Sequence, residues 1–152
     1  PALPEHLASR PELLERVKTT GTGLVMAPNI LAQQATLAAY GRGGEWLDAV
    51  VRYLRGNRDH LLEFVRTNMP GVRVHSTEGT YLAWLDLREL QLDRPAAQYL
   101  LEEARVGLNP GRDFGPEGEL DGFARLNFAT SRPILGEALR RMAQAVGQPT
   151  SA

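Results

Sequence analysis

The sequence predicts an α+β fold: a small sheet with helices packed on one face, preceded by a long amphipathic helix. Three observations predict it. Apolar residues recur at helical spacing from Trp46 to Met69, the period changes to two between Val72 and Leu87, and the rest of the chain continues as β-β-α-β-β-α. A length of 152 residues suits one core and is too short for two full ones.

Each element has its own signal. Leu13, Leu14 and Val17 share one side of a short helix, Pro11–Lys18, which Ser9 is placed to cap. Gly21–Pro28 is a breaker followed by a short apolar run. Asn29 is placed to cap Ile30–Tyr40, a helix of small and apolar residues (Leu31, Ala35, Ala38, Ala39) that is apolar almost all round. Such a helix calls for a covering surface, one outside this chain included. Gly41–Gly44 ends it. Glu45 to Asn68 reads as one long amphipathic helix, about 36 Å at 1.5 Å per residue, and Met69-Pro70-Gly71 stops it.

Val72–Ser76 alternates as a strand with one wet face, while Thr80–Leu87 is nearly apolar on both faces and fits a central strand. Thr77-Glu78-Gly79 joins the two as a hairpin. Pro95–Ala104 is a helix capped near Asp93, with Ala97, Leu100, Leu101 and Ala104 inward, and Val106–Leu108 is a short strand. Asn109–Gly118 holds three Gly, two Pro and an Asp in ten residues, which marks a loop. Gly122–Phe128 is a further strand. The last helix, Ile134–Val146, has Pro133 near its first turn. Residues 1–40 thus form an N-terminal helical segment and 41–152 a small C-terminal α+β domain.

Composition removes several classes of function. The net charge is −1, and no stretch of Lys/Arg stands free of acidic neighbours, so no nucleic-acid or membrane-surface partner is expected. No run approaches a bilayer span and the start lacks a signal-peptide pattern, which makes the cytoplasm the default compartment. Cysteine is absent, which removes disulfides, zinc thiolates and thiol nucleophiles. His6, His60 and His75 are too dispersed for a ligand cluster, and Glu117, Glu119 and Asp121 fit a solvated turn better than a cation loop. No metal site is expected. The chain opens at Pro1 without an initiator Met, the mark of a processed or cut piece. It carries sixteen Arg and a single Lys, Lys18, so lysine-dependent covalent chemistry must use Lys18 or be absent.

Arg125 is the leading candidate for chemistry. In GFARLNF, Phe123, Arg125 and Asn127 point one way while Ala124, Leu126 and Phe128 point the other. A guanidinium in mid-strand must be paired or reach solvent, and its planar fork suits two-point binding of a carboxylate. An internal salt bridge to Asp86, Asp113 or Asp121 is the commoner arrangement on general grounds. The Gly-rich Asn109–Gly115 loop, with Phe114 on its rim, fits either a site lining or a solvated connection. Tyr81 can present a phenol to a ligand or sit half-buried; Trp46 and Trp84 are most simply core. Gly41–Gly44 lacks the Lys-Ser/Thr of a P-loop.

Three runs, EGTYLAWLDLREL (78–90), VGLNPGRDFGPEG (106–118) and GFARLNFATSRPILGEALRRMAQAV (122–146), resemble in order the C-terminal segment of fold-type I enzymes dependent on pyridoxal phosphate (PLP). The resemblance is to the MalY/PatB-type cystathionine β-lyase branch of the class I/II aminotransferases. It extends over residues 21–147, through VRTNMPGVRV and APNILAQQATLAAYG. It implies that Arg125 binds the substrate α-carboxylate and that Thr80, Tyr81, Asn109 and Phe114 lie near the substrate mouth. It implies an amino-acid substrate and a PLP–lysine Schiff base in the parent enzyme. The chemistry is then β-elimination at a C–S bond, giving pyruvate, ammonia and a thiol, or transamination. It implies a homodimeric parent enzyme, with residues 1–40 as the end of a large PLP-binding domain. The family's PLP lysine lies upstream of the matched region, and Lys18 has no Ser-x-x-Lys or Ser-Lys context. The expectation is a chain that holds no PLP covalently and is inactive alone. The alternative is a standalone, non-catalytic α+β binding or regulatory domain.

Overall fold

The structure, a computed structural model, describes residues 10–23, 28–116 and 118–147. The backbone divides into two units, Pro1–Glu45 and Trp46–Ala152. In the first, α1 spans Pro11–Gly21 and α2 spans Ile30–Arg42. Asn29 caps α2 as its sequence position predicts, its Oδ1 accepting the Ala32 N–H at 2.9 Å. Arg10 precedes α1 without a side-chain cap, and Ser9 lies outside the described residues. Neither helix buries a residue, so the apolar surface of α2 is exposed, with Leu31 at 78% and Tyr40 at 91%.

The second unit holds the sheet. Helix α3 (Gly44–Asn68) leads to strands β1 (Arg73–Val74) and β2 (Leu82–Asp86), then to α4 (Ala96–Glu103), β3 (Asn109–Pro110), β4 (Phe123–Asn127) and α5 (Arg132–Val146). The four strands run antiparallel in the order β1-β2-β4-β3. Gly71 turns the chain from α3 into β1 at φ +84°, a left-handed position that favours glycine. Alternation fixes the two faces of the sheet. Ala83, Leu85, Ala124, Leu126 and Phe128 are buried, and they share one core with Leu61 and Val65 of α3, Leu100 of α4, and Leu135, Leu139 and Met142 of α5. The α+β layer with helices on one face is the arrangement the sequence predicts.

Asn57 is the one buried polar side chain among the described residues. Its Nδ2 donates to the carbonyls of Phe128 (2.9 Å) and Thr130 (2.8 Å), and its Oδ1 accepts from Arg132 Nε (2.7 Å). The Tyr53 hydroxyl accepts the Arg132 backbone N–H at 2.7 Å. Together these groups bolt α3 to the crossing from β4 into α5. The Tyr99 hydroxyl on α4 donates to the Ala145 carbonyl at 3.0 Å, which ties the last turn of α5 to its neighbour.

Four expectations are corrected. The predicted strand Val106–Leu108 is unpaired, and pairing with β4 begins at Asn109, opposite Arg125. The cause lies at the end of α4, where Arg105 is left-handed (φ +55°) and the Val106 N–H returns to the Leu100 carbonyl. The predicted loop 109–118 therefore opens as β3 and continues as a 3-10 turn, Gly111–Phe114. Asp93 does not cap α4; it pairs with Arg94, and the Ala96 N–H is taken by the Asp121 carbonyl at 2.8 Å. Trp46 is not core but 70% exposed, and Trp84 is half-buried on the sheet face opposite the helices.

Asn57→Ala is expected to lower stability by about 2–4 kcal/mol, because it strands the buried Phe128 carbonyl, the part-buried Thr130 carbonyl and a guanidinium; the denaturation midpoint reads this. Gly111 is buried, and a Cβ there would meet the Leu120 carbonyl oxygen at 2.2 Å and the Phe123 carbonyl oxygen at 2.7 Å. Gly111→Ala is expected to cost about 1–3 kcal/mol by overpacking, against a near-neutral Gly79→Ala, where the space is open.

Candidate functional site

Arg125 sits in the middle of β4, directly opposite Trp84 of β2 and Asn109 of β3. A central strand gives its backbone two hydrogen-bonded neighbours, and odd-numbered positions of β4 face away from the helices. None of the three predicted aspartates pairs with it. Asp86 is held by Arg88 (Oδ2–Nη2 2.8 Å), Asp121 by Arg112 (3.2 Å), and Asp113 makes no ion pair among the described residues. The side-chain hydrogen bond of Arg88 holds the Asp86 carboxyl below its ordinary range, which keeps it ionised and occupied.

Arg125 has other partners. Its Nη2 donates to Asn109 Oδ1 at 3.2 Å, and its guanidinium carbon lies 4.4 Å from the centroid of the Phe114 ring. Its Nε is shut from solvent and has no hydrogen-bond partner. Most of its donors are therefore unspent, and no carboxylate among the described residues neutralises its charge. The Asn127 side chain turns back to the Ala129 N–H (2.8 Å), shaping the exit from β4.

Arg125 is also among the residues that line an open groove of about 790 Å³, with Leu108, Asn109, Asn127, Thr130, Ile134 and neighbouring residues. Arg105 and Arg141 also border it, as does Glu137. Glu137 is engaged by Arg140 and Arg141 (Nε–Oε1 2.7 Å), and these contacts hold its carboxyl below the ordinary range, Arg140 contributing most. The groove is thus apolar along one wall, with its one acid already matched and Arg125 uncommitted. That combination suits a small ligand carrying a carboxylate.

Arg125, Asn109 and Phe114 come together as a cluster. Thr80 and Tyr81 do not join it. Thr80 occupies the turn before β2 at φ +66°, and Tyr81 is 47% exposed beside a separate apolar recess formed with Val50, Tyr53 and Leu54 of α3. The sequence reading missed Trp84, which it placed in the core. The signal was available: Trp84 shares its parity with Asp86, and a strand face that carries an aspartate meets water.

The residues present do not fit PLP as a covalent cofactor of this chain. The cofactor's aldehyde takes a lysine amine, and Lys18 is exposed on α1 in an ion pair with Glu15 at 2.9 Å. No step through PLP is assigned to these residues. Among the described residues, no group of three or more His, Cys, Asp or Glu is placed to hold a metal ion, and no helix is long and apolar enough to cross a membrane.

No family model matches the chain. It is 36% identical over 143 residues to the protein MalY of Escherichia coli, covering 93% of this chain and 36% of MalY. It is 38% identical over 119 residues to the cystathionine beta-lyase PatB of Bacillus subtilis, covering 78% of this chain and 30% of PatB. The PLP-bound C-S lyase of Staphylococcus hominis superposes with a TM-score of 0.77 at 30% identity, over 88% of this chain and 36% of that one. The chain spans about a third of the length of the curated relatives it matches. By sequence and by fold it corresponds to the C-terminal part of a fold-type I PLP-dependent enzyme of the cystathionine β-lyase and aminotransferase family.

Proposed function

We propose that this chain supplies the substrate-carboxylate side of a PLP-dependent enzyme that acts on amino acids, as a C–S lyase or an aminotransferase, with Arg125 as the anchor. The observation that carries the reading is the Arg125 guanidinium without an ion pair, on a residue that lines an open groove. PLP, held elsewhere in the parent enzyme, supplies the electron sink for chemistry at the α-carbon. This chain's part is orientation. A bidentate grip fixes the carboxylate and with it the α-carbon, so the bond to be broken is presented in one pose instead of many. Asn109 steadies the guanidinium and Phe114 forms the floor beneath it, while Thr80 and Tyr81 stand apart from the anchor.

Two features favour this reading over a standalone binding or regulatory domain. The family resemblance runs through the very segments that build the cluster, and the cluster is shaped for a carboxylate rather than for a macromolecular surface. The relatives' names include both lyase and aminotransferase, and nothing in the groove separates the two reactions.

In the parent enzyme, Arg125→Ala is expected to lower kcat/KM for amino-acid substrates at least about a hundredfold, the loss of roughly 3 kcal/mol from one charged bidentate contact. Arg125→Lys keeps the charge without the fork and falls between the two. Cystathionine cleavage and transamination, assayed side by side, make the measurement; full activity in the alanine variant removes the anchor. We further propose that the exposed apolar surface of α2 is an assembly surface of a homodimeric parent. Sedimentation of the chain is expected to show self-association, and a clean monomer at high concentration argues against it.

A further inference from the structure

The open face of the sheet carries an unbroken row of stacked side chains. The Phe114 ring lies under Arg125, and Trp84 meets Phe114 edge-on, with centroids 5.5 Å apart at 80°. Trp84 in turn stacks on Phe123, at 5.7 Å and 23°, and the Arg88 guanidinium caps Phe123 at 4.7 Å. Asp86 closes the row by gripping Arg88 through two oxygens, at 3.0 and 2.8 Å. Three of these side chains lie on the regular strands β2 and β4, in register with Arg125. Phe114 alone comes from a Gly- and Pro-rich turn, and it is 45% exposed.

That asymmetry has a physical consequence. A half-exposed phenylalanine on a turn has several accessible rotamers, and a long arginine resting on it inherits that freedom. Edge-on contact with an indole favours one ring orientation, because the positive ring edge meets the negative face. Trp84 is itself fixed from the other side by the Phe123 ring. The closed-off Nε of Arg125, which has no polar partner, agrees with a guanidinium pressed onto this platform rather than swinging in solvent.

We propose that Trp84 and Phe123 are positioning residues for Arg125, acting through the Phe114 ring, so that the guanidinium is set before any carboxylate arrives. The proposal rests on the anchor reading for its functional meaning, but its physical content is testable apart from it.

The test is arginine side-chain NMR on the 152-residue chain labelled with ¹⁵N-arginine, with the Arg125 Nε–H signal assigned by its loss in Arg125→Lys. The signal is expected to be ring-shifted and to exchange with water at least about tenfold more slowly than that of the exposed Arg52. Trp84→Leu is expected to return both readings to the Arg52 range, and Trp84→Phe to retain them. An unchanged Arg125 signal in a folded Trp84→Leu chain overturns the proposal. Should that variant not fold, Phe123→Leu is read in the same way, and a wild-type Arg125 signal that is unshifted and fast-exchanging overturns it without any variant. Titration with sodium acetate against sodium chloride separates the two claims. A slow, ring-shifted signal that is released by Trp84→Leu yet ignores acetate supports the stack and removes the anchor. A response to acetate that Trp84→Leu leaves unchanged keeps the anchor and overturns the stack.

Discussion

The carboxamide of Asn57 is the constraint on which the domain depends. It lies wholly inside the protein and spends its three hydrogen bonds on one short stretch, Phe128 to Arg132, where the chain leaves β4 and enters α5. Backbone at such a crossing has left the ladder of the sheet and not yet joined that of a helix, so its carbonyls need outside donors. One side chain from α3 answers two of them and fixes the guanidinium that follows. The position of β4 in the layer is thereby tied to the longest helix, and everything mounted on β4 is tied with it.

Arg125 is the principal beneficiary. On an edge strand or a loop, a long cationic side chain would drift. Here its Cα is held by strands on both sides, with Trp84 and Asn109 as its cross-strand partners. Of the aspartates that could have neutralised it, Asp86 and Asp121 are drawn off by Arg88 and Arg112. The surplus of arginine over lysine, which reads in the sequence as a compositional bias, thus acts locally: Arg88 and Arg112 engage Asp86 and Asp121, and Arg125 keeps no ion pair among the described residues. The same bias leaves Lys18 as the one amine on a side chain, occupied by Glu15 on an exposed helix.

Much of this was legible in the residues. Long periodic segments such as α3 and α5 are predicted almost to the residue, because a buried stripe over many turns leaves few alternatives. The parity of GFARLNF gives the faces of β4 and marks Arg125 as unusual. What the sequence could not convey depends on contacts between distant segments. The start of β3 is displaced because Val106 is claimed by the end of α4. Asp93 leaves its capping position because Arg94 is nearer to hand. The buried role of Asn57 has no local signal, since an asparagine amid an amphipathic helix reads as a polar-face residue. The proposed role of the arginine as a carboxylate anchor rests on resemblance, and the geometry adds what resemblance lacks: the partners that hold the side chain and those that leave it alone.

The closed Nε of Arg125 also bears on stereochemistry. A guanidinium can meet a carboxylate along either of two edges, one that includes Nε and one formed by the two Nη groups. With Nε covered, the edge that includes it is closed, and an incoming carboxylate is left the Nη groups, of which Nη2 also donates to Asn109. A carboxylate docked there lies in line with the Cζ–Nε axis, and its α-carbon is carried outward along that line. The direction in which the rest of a ligand projects is then set by the strand and by the ring beneath it. For an amino acid held as proposed, handedness at the α-carbon would be read from there by whatever surfaces lie on either side.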